Sequence, residues 1–260
     1  MTLFDDLAAK IAGGEPVALA TVISGPDAGA KLVAAPDGNV EGTLGNDGLD
    51  RVVSRDLLAD LEAGLSGVRH YGPNGEARQD DVAVFIESFA PPPRMYVFGA
   101  VDFTAALVRV AKVLGYSVTV CDAREVFATT QRFPFADRVV VDWPNRLLER
   151  EGADLGPRDA VCVLTHDHKF DVPAIKAALA TGVGYLGAMG SRRTHAERTE
   201  RLLEAGVDRD DLARIHAPIG LDLGARTPEE TAVSICAEII GTRTGRRAHS
   251  LRETEGPIHR

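Results

Sequence analysis

MYVFGAVDFTAALVRVAKVLGYSVTVCD, residues 95–122, decides the fold. An apolar run, Met95–Phe98, meets Gly99. Apolar residues at helical spacing follow (Ala105, Leu107, Val108, Ala111, Val113, Leu114) until Gly115, and a second apolar run, Val118–Cys121, ends on Asp122. Strand, glycine, amphipathic helix, glycine and strand make a βαβ unit. Its two strands are expected to be parallel, because a crossover helix returns the chain to the same edge of the sheet. Asp122 follows Gly99 by 23 positions, near the ~20 that separates the glycine turn of a dinucleotide fold from its ribose-binding acid. The turn itself departs from G-x-G-x-x-G/A, with Gly99, Val101 and Thr104 at the three places. Val101 puts a side chain where a pyrophosphate would need bare backbone. Asp102 puts a negative charge at a helix N-terminus otherwise suited to anions, though the same carboxylate suits the helix dipole. Both residues count against NAD(P).

Further strand-like runs follow at 117–121, 138–142, 160–164, 183–187 and 214–216, with helical or loop segments between them. This alternation predicts a doubly wound parallel sheet, whose ligands sit outside the carboxyl ends of the strands. Residues just past each run are polar: Gly99 and Asp102, Asp122 and Arg124, Asp142, Thr165-His166-Asp167-His168 with Asp171, Gly190-Ser191-Arg192-Arg193, and Gly220 with Asp222. Gly190–Arg193 opens a helix-forming run, so free N–H groups, a hydroxyl and two guanidinium groups suit a phosphate or another anion. The competing reading has both arginines solvated or paired with Glu197 and Glu200. Asp122 suits a ribose diol, or else a buried carboxylate accepting backbone N–H bonds. Thr165, His166 and Asp167 suit polar ligand contacts. No metal site is expected there, since alternate residues leaving a strand point to opposite sides and no HExxH spacing occurs. Thr227-Pro-Glu-Glu230 reads as a capping box opening a helix that runs to about Ile240.

Upstream, residues 1–90 read as a small α+β domain. It has a helix at 1–13, a strand at 16–23, a hairpin over 31–44, a helix at 50–65, and strands at 68–71 and 82–86. Pro91-Pro-Pro93 continues neither a helix nor a central strand, so 91–94 is the expected linker. The Rossmann-like domain is expected over 95–242 and an Arg-rich flexible tail over 243–260. The formal net charge of −9 argues against general nucleic-acid or anionic-membrane binding. No apolar stretch approaches the ~18 residues of a membrane span, and the N-terminus is acidic rather than signal-like. The three cysteines show no CxxC spacing. Cys121, Cys162 and Cys236 lie in apolar runs and read as inert core residues in a reducing, cytoplasmic protein. No catalytic nucleophile can be placed.

Several stretches resemble the XdhC/CoxI family of accessory factors for xanthine dehydrogenase and carbon monoxide dehydrogenase. They are VFGAVDFTAAL, VTVCDAR, LTHDHKFD, YLGAMGSRRTHAER and HAPIGLDLGARTPEETAVSICAEII, within 95–242, and more loosely VALATVI, GAKLVAAPDGNVEGTLG and VAVFIE upstream. The resemblance implies a Rossmann-type C-terminal domain and a non-catalytic role in maturing molybdenum hydroxylases. Such a factor binds the molybdenum cofactor (molybdopterin), presents it to the apoenzyme, acts with a cysteine desulfurase and self-associates. The departures are Gly45-Asn-Asp47 in place of a Gly-Gly-Cys turn, Gln79-Asp-Asp81 where a second cysteine stands, and Gly99-Ala-Val-Asp102 for Gly-Ala-Gly-His. Roles resting on those cysteines do not carry over. An NAD(P)-dependent oxidoreductase and a ligand-free scaffold remain as alternatives.

Overall fold

The computed structural model describes residues 3–77, 79–246 and 248–255. Arg247 and residues 256–260, part of the expected tail, lie outside the described residues. The chain divides into two compact units, Met1–Pro91 and Pro92–Arg260.

The first unit runs α1 (Leu3–Gly13), β1 (Val17–Ser24), β2 (Lys31–Ala34), β3 (Val40–Thr43), α2 (Asp47–Ala63), β4 (Gly67–Tyr71) and β5 (Val82–Phe89). Its strands form an antiparallel sheet in the order β3-β2-β1-β5-β4. Period-two alternation sends Ala18, Ala20 and Val22 toward Leu49, Val53, Leu57 and Leu61 of α2, while Val17 and Val33 meet Leu7 of α1. The second helix starts earlier than its apolar pattern suggests. Asn46 accepts N–H bonds from Gly48 (2.8 Å) and Leu49 (3.2 Å), so the Gly45-Asn-Asp47 turn is the cap of α2.

The second unit runs β6 (Arg94–Phe98), α3 (Asp102–Val113), β7 (Ser117–Cys121), β8 (Arg138–Val140), α4 (Pro144–Glu151) and β9 (Ala160–Val163). It continues with α5 (His168–Leu179), β10 (Tyr185–Ala188), α6 (Arg192–Glu204), α7 (Arg209–Leu212), β11 (Ile215–His216) and α8 (Pro228–Thr244). All described pairings are parallel, in the order β11-β10-β9-β6-β7-β8. This is the α/β architecture read from the sequence, an antiparallel α+β unit followed by a Rossmann-like doubly wound sheet. Both faces are buried, which is why the strands read as unbroken apolar runs. Met95 and Val97 face a core shared with Leu107 and Ala111 of α3 and with Ile235 and Ile239 of α8. Tyr96 and Phe98 face the opposite core, with Leu147 of α4, Ile175 of α5 and Leu202 of α6.

Two strand ends of the second unit differ from the sequence reading by two residues. The third strand stops at Val140 because Asp142 turns out of the ladder. Its carbonyl accepts the Cys121 thiol (3.2 Å), and its carboxylate takes Trp143 N–H and Arg150 (both 2.7 Å). The fifth begins at Tyr185, since Gly184 abuts Pro157. Among the described residues no helix is long and apolar enough to cross a membrane.

Candidate functional site at the strand tips

The sheet reverses its winding between β6 and β9. After β6 the chain crosses to the α3–α8 face, and after β9 to the face of α5, and ligands of open α/β sheets bind at the carboxyl ends where the winding reverses in this way. Gly99 makes the first turn possible. Its φ is +110°, and a Cβ there would lie 2.8 Å from the Thr165 methyl and 3.0 Å from the Thr165 nitrogen. The tips of β6 and β9 therefore touch backbone to side chain.

Asp122 is 3% exposed at the tip of β7. It accepts the N–H of Ala100 (2.8 Å) and of Arg124 (3.0 Å), and both its oxygens take guanidinium bonds from Arg124 (2.9 and 2.7 Å). Burial alone would raise this carboxyl. The Arg124 guanidinium and the two backbone N–H groups outweigh it and hold Asp122 below the usual carboxylate value. The hydrogen bond to Asp122 raises Arg124 in turn, with the Asp167 charge adding to it. A ribose diol approaching Asp122 thus meets a carboxylate with four N–H bonds already in place. Arg124 also lies over the Phe127 ring (4.6 Å). Arg132, which the sequence did not single out, donates to the carbonyls of Ala100 (3.0 Å) and Phe127 (3.2 Å). Exposed Asp102 sits 3.7 Å from Arg132.

Past β9, Thr165 is buried and donates its hydroxyl to Asp171. Asp167 caps α5 through Lys169 N–H (3.1 Å), and His166 is exposed. Past β10, Gly190 has φ +147° and Ser191 caps α6 by accepting Thr194 N–H (3.1 Å). Arg192 is exposed and makes no ion pair among the described residues. Arg193, with its side chain 88% exposed, pairs with Glu197 at 2.9 Å. The first-turn N–H groups of α6 have no intrahelical acceptor. The sequence reading also missed Arg198. Its guanidinium, 1% exposed, bonds Asp171 (2.8 Å) and the carbonyl of Met189 (2.8 Å). Arg198 precedes Leu202 by four residues, on the face that α6 buries. That position was the available signal.

The geometry thus links Gly99, Asp122, Arg124, Thr165 and Asp167 around the β6, β7 and β9 tips. It ties the Gly190–Arg193 loop to them through Arg198 and Asp171. Gly220 lies elsewhere. Its N–H donates to Glu238 of α8 (2.8 Å), which also accepts the Tyr185 hydroxyl (2.6 Å) and has His216 Nδ1 at 3.5 Å. Burial would raise Glu238, but His216, Tyr185 and the Gly220 N–H hold it low. This cluster fastens α8 to the β10–β11 edge.

The XdhC Rossmann domain model matches residues 95–239, and the XdhC and CoxI family model matches residues 11–72. The chain belongs to the XdhC and CoxI family. Its relatives include a probable xanthine dehydrogenase subunit of Bacillus subtilis (strain 168), 36% identical over 160 residues, covering 62% of this chain and 46% of that one. The molybdenum cofactor insertion chaperone PaoD of Escherichia coli (strain K12) is 37% identical over 91 residues, 35% of this chain and 29% of that one. The chain spans less than half the length of either curated relative. A crystal structure described as a xanthine dehydrogenase from Bacillus halodurans shares the fold. Its TM-score is 0.56 at 22% identity, covering 94% of this chain and 96% of that one. In this XdhC/CoxI chain, the Rossmann-model match runs from β6 into α8 and so contains every strand tip described above.

Proposed function

We propose that this XdhC/CoxI chain is an accessory and maturation factor for a molybdenum hydroxylase of the xanthine or carbon monoxide dehydrogenase type. It binds the molybdenum cofactor at the strand tips of its Rossmann domain and presents it to the apoenzyme, without turning it over. Sulfuration by a cysteine desulfurase, self-association and action in the cytoplasm belong to the same reading. The observation that carries it is a cation without an ion pair among the described residues, Arg192, at the mouth of α6. It stands beside a Gly190-Ser191 turn tied through Arg198 to the tip of β9. The cofactor is cargo, and its phosphate suits this donor set. Arg192, the first-turn N–H groups and, on release from Glu197, Arg193 would hold the phosphate. Gly99 allows close approach, and Asp102, Asp122, Arg124, Thr165, His166 and Asp167 would meet the rest of the ligand; Gly220, bonded to Glu238, lies outside this set. The names of the relatives support the same class of client. A nicotinamide cofactor has less support, since Val101 puts a side chain where its pyrophosphate needs bare backbone.

Titration of the full chain with molybdopterin, followed by calorimetry, tests this. Arg192→Ala with Arg193→Ala removes at least one charge-assisted contact, about 1.5–3 kcal/mol, and weakens binding roughly tenfold or more. Unchanged affinity in that variant removes the assigned site. A chain that binds no molybdopterin, yet co-purifies with a molybdenum enzyme, replaces the reading by the ligand-free scaffold.

A further inference from the structure

Asp171 and Arg198 are the charged pair most deeply enclosed in the second unit, at 0% and 1% side-chain exposure. Such pairs are weak contributors to stability, because desolvation opposes the attraction. This one is also incompletely satisfied, since Nε and Nη1 of Arg198 have no hydrogen-bond partner among the described residues. Its bonds are distributed in a particular way. Asp171 takes the hydroxyl of Thr165, whose methyl would meet any Cβ at Gly99. Arg198 takes the carbonyl of Met189, next to Gly190, whose own Cβ would lie 3.6 Å from Nη2. One chain of contacts therefore runs from the β6 tip through the β9 tip to the β10 tip, ending beneath the turn that opens α6. Helical side chains lean toward the N-terminus, which brings Arg198 from the second turn of α6 to the base of its first.

We infer that Arg198, braced by Asp171, is a positioning residue for the strand-tip site. It sets the shape of the Gly190-Ser191 turn, and with it the aim of Arg192 and the first-turn N–H groups, without touching the ligand itself. This rests on the cofactor-binding reading above. A hydrophobic replacement of both partners would preserve or improve packing while leaving Met189 O and Thr165 Oγ1 without their ties. Stability and ligand geometry would then separate.

The experiment uses the full chain carrying Arg198→Met, alone and with Asp171→Val. The single change leaves a buried carboxylate unpaired and lowers the melting temperature. The double variant restores it toward the original. Molybdopterin affinity falls at least tenfold in both, and the double variant stays weak although it is folded. The dependence of the remaining affinity on salt keeps the original slope, because no charge contacting the ligand has been removed. Removing Arg192 and Arg193, in contrast, flattens the slope. A double variant that melts and binds like the original overturns the inference, as does a flattened slope, which would make Arg198 a direct contact. If the original chain binds no molybdopterin, the cofactor reading fails, and amide hydrogen exchange judges the brace by itself. Faster exchange confined to residues 164–171 and 189–194 in the double variant supports it, and unchanged exchange there overturns it.

Discussion

Gly99→Ala should weaken the second unit by an amount the geometry fixes. Two costs add. An alanine at φ +110° sits in the left-handed half of backbone space, at about 1–2 kcal/mol. The new Cβ also falls 2.8 Å from the Thr165 methyl and 3.0 Å from its backbone nitrogen. Thr165 cannot swing aside cheaply, because its hydroxyl is committed to Asp171 in a buried network. Overpacking of that kind adds about 1–3 kcal/mol, for a total of about 2–5 kcal/mol. In a unit of this size each kcal/mol moves the midpoint by about 2–4 °C, so a fall of roughly 4–20 °C is expected. Gly206→Ala is the control. It lies in the same unit at φ +82°, but nothing stands within 4 Å of its would-be Cβ. It therefore carries the backbone cost alone. Trp143, the chain's single tryptophan, packs 4.9 Å from the Phe170 ring in the second unit, so its fluorescence follows that unit's melting. If Gly99→Ala melts no lower than Gly206→Ala, the close approach of the two strand tips is not what demands glycine at 99.

Acid should expose the Glu151 pair. Hydrogen bonds from Arg138 and then Tyr96 outweigh burial and depress the Glu151 carboxyl from 4.5 to about 2. A depressed carboxyl contributes stability above its unfolded value and loses that contribution as pH falls through the folded one. Glu151→Gln should therefore show a shallower loss of urea midpoint between pH 4.5 and pH 2; parallel profiles would contradict the pairing. Burial also pushes the thiols of Cys121 and Cys236 up to about 12, and Cys162 well above its ordinary value. At pH 8 a thiol reagent should leave the native chain unmodified and label all three cysteines in guanidinium. Stoichiometric labelling of native protein would show that at least one thiol is accessible.

The βαβ unit around Gly99 was legible because strand, turn and helix each leave a periodic trace within a few residues. The capping box at Thr227 was legible for the same reason, its two reciprocal bonds lying three positions apart. The candidate positions also followed from topology, since a parallel sheet puts all its carboxyl tips on one edge. Their partners did not follow. Nothing local says that Asp122 is clamped by Arg124, because a carboxylate two residues before an arginine fits a solvated pair equally well. Arg198 was hidden for a related reason. Within THAERTERLLEAG it is one of many charges, and only its i, i+4 relation to Leu202 marks it as inward-facing. Its carboxylate partner, Asp171, sits 27 positions away on another helix. Long-range pairing of this kind is set by how helices pack on a sheet, and it leaves no short-range pattern.

The packing of α8 has a consequence for biosynthesis. The helix covers the apolar side of α3, with Ile235, Cys236 and Ile239 entering the core begun by Met95 and Val97, and Arg109 reaching Glu229 (3.0 Å). A helix translated late in this domain thus seals the domain's first strand. Until it emerges from the ribosome, the core that Leu107 and Ala111 share with it stays open on that side. Closure of this core cannot be local and sequential. It waits on a contact more than a hundred residues long, and during that interval the growing chain is exposed to aggregation.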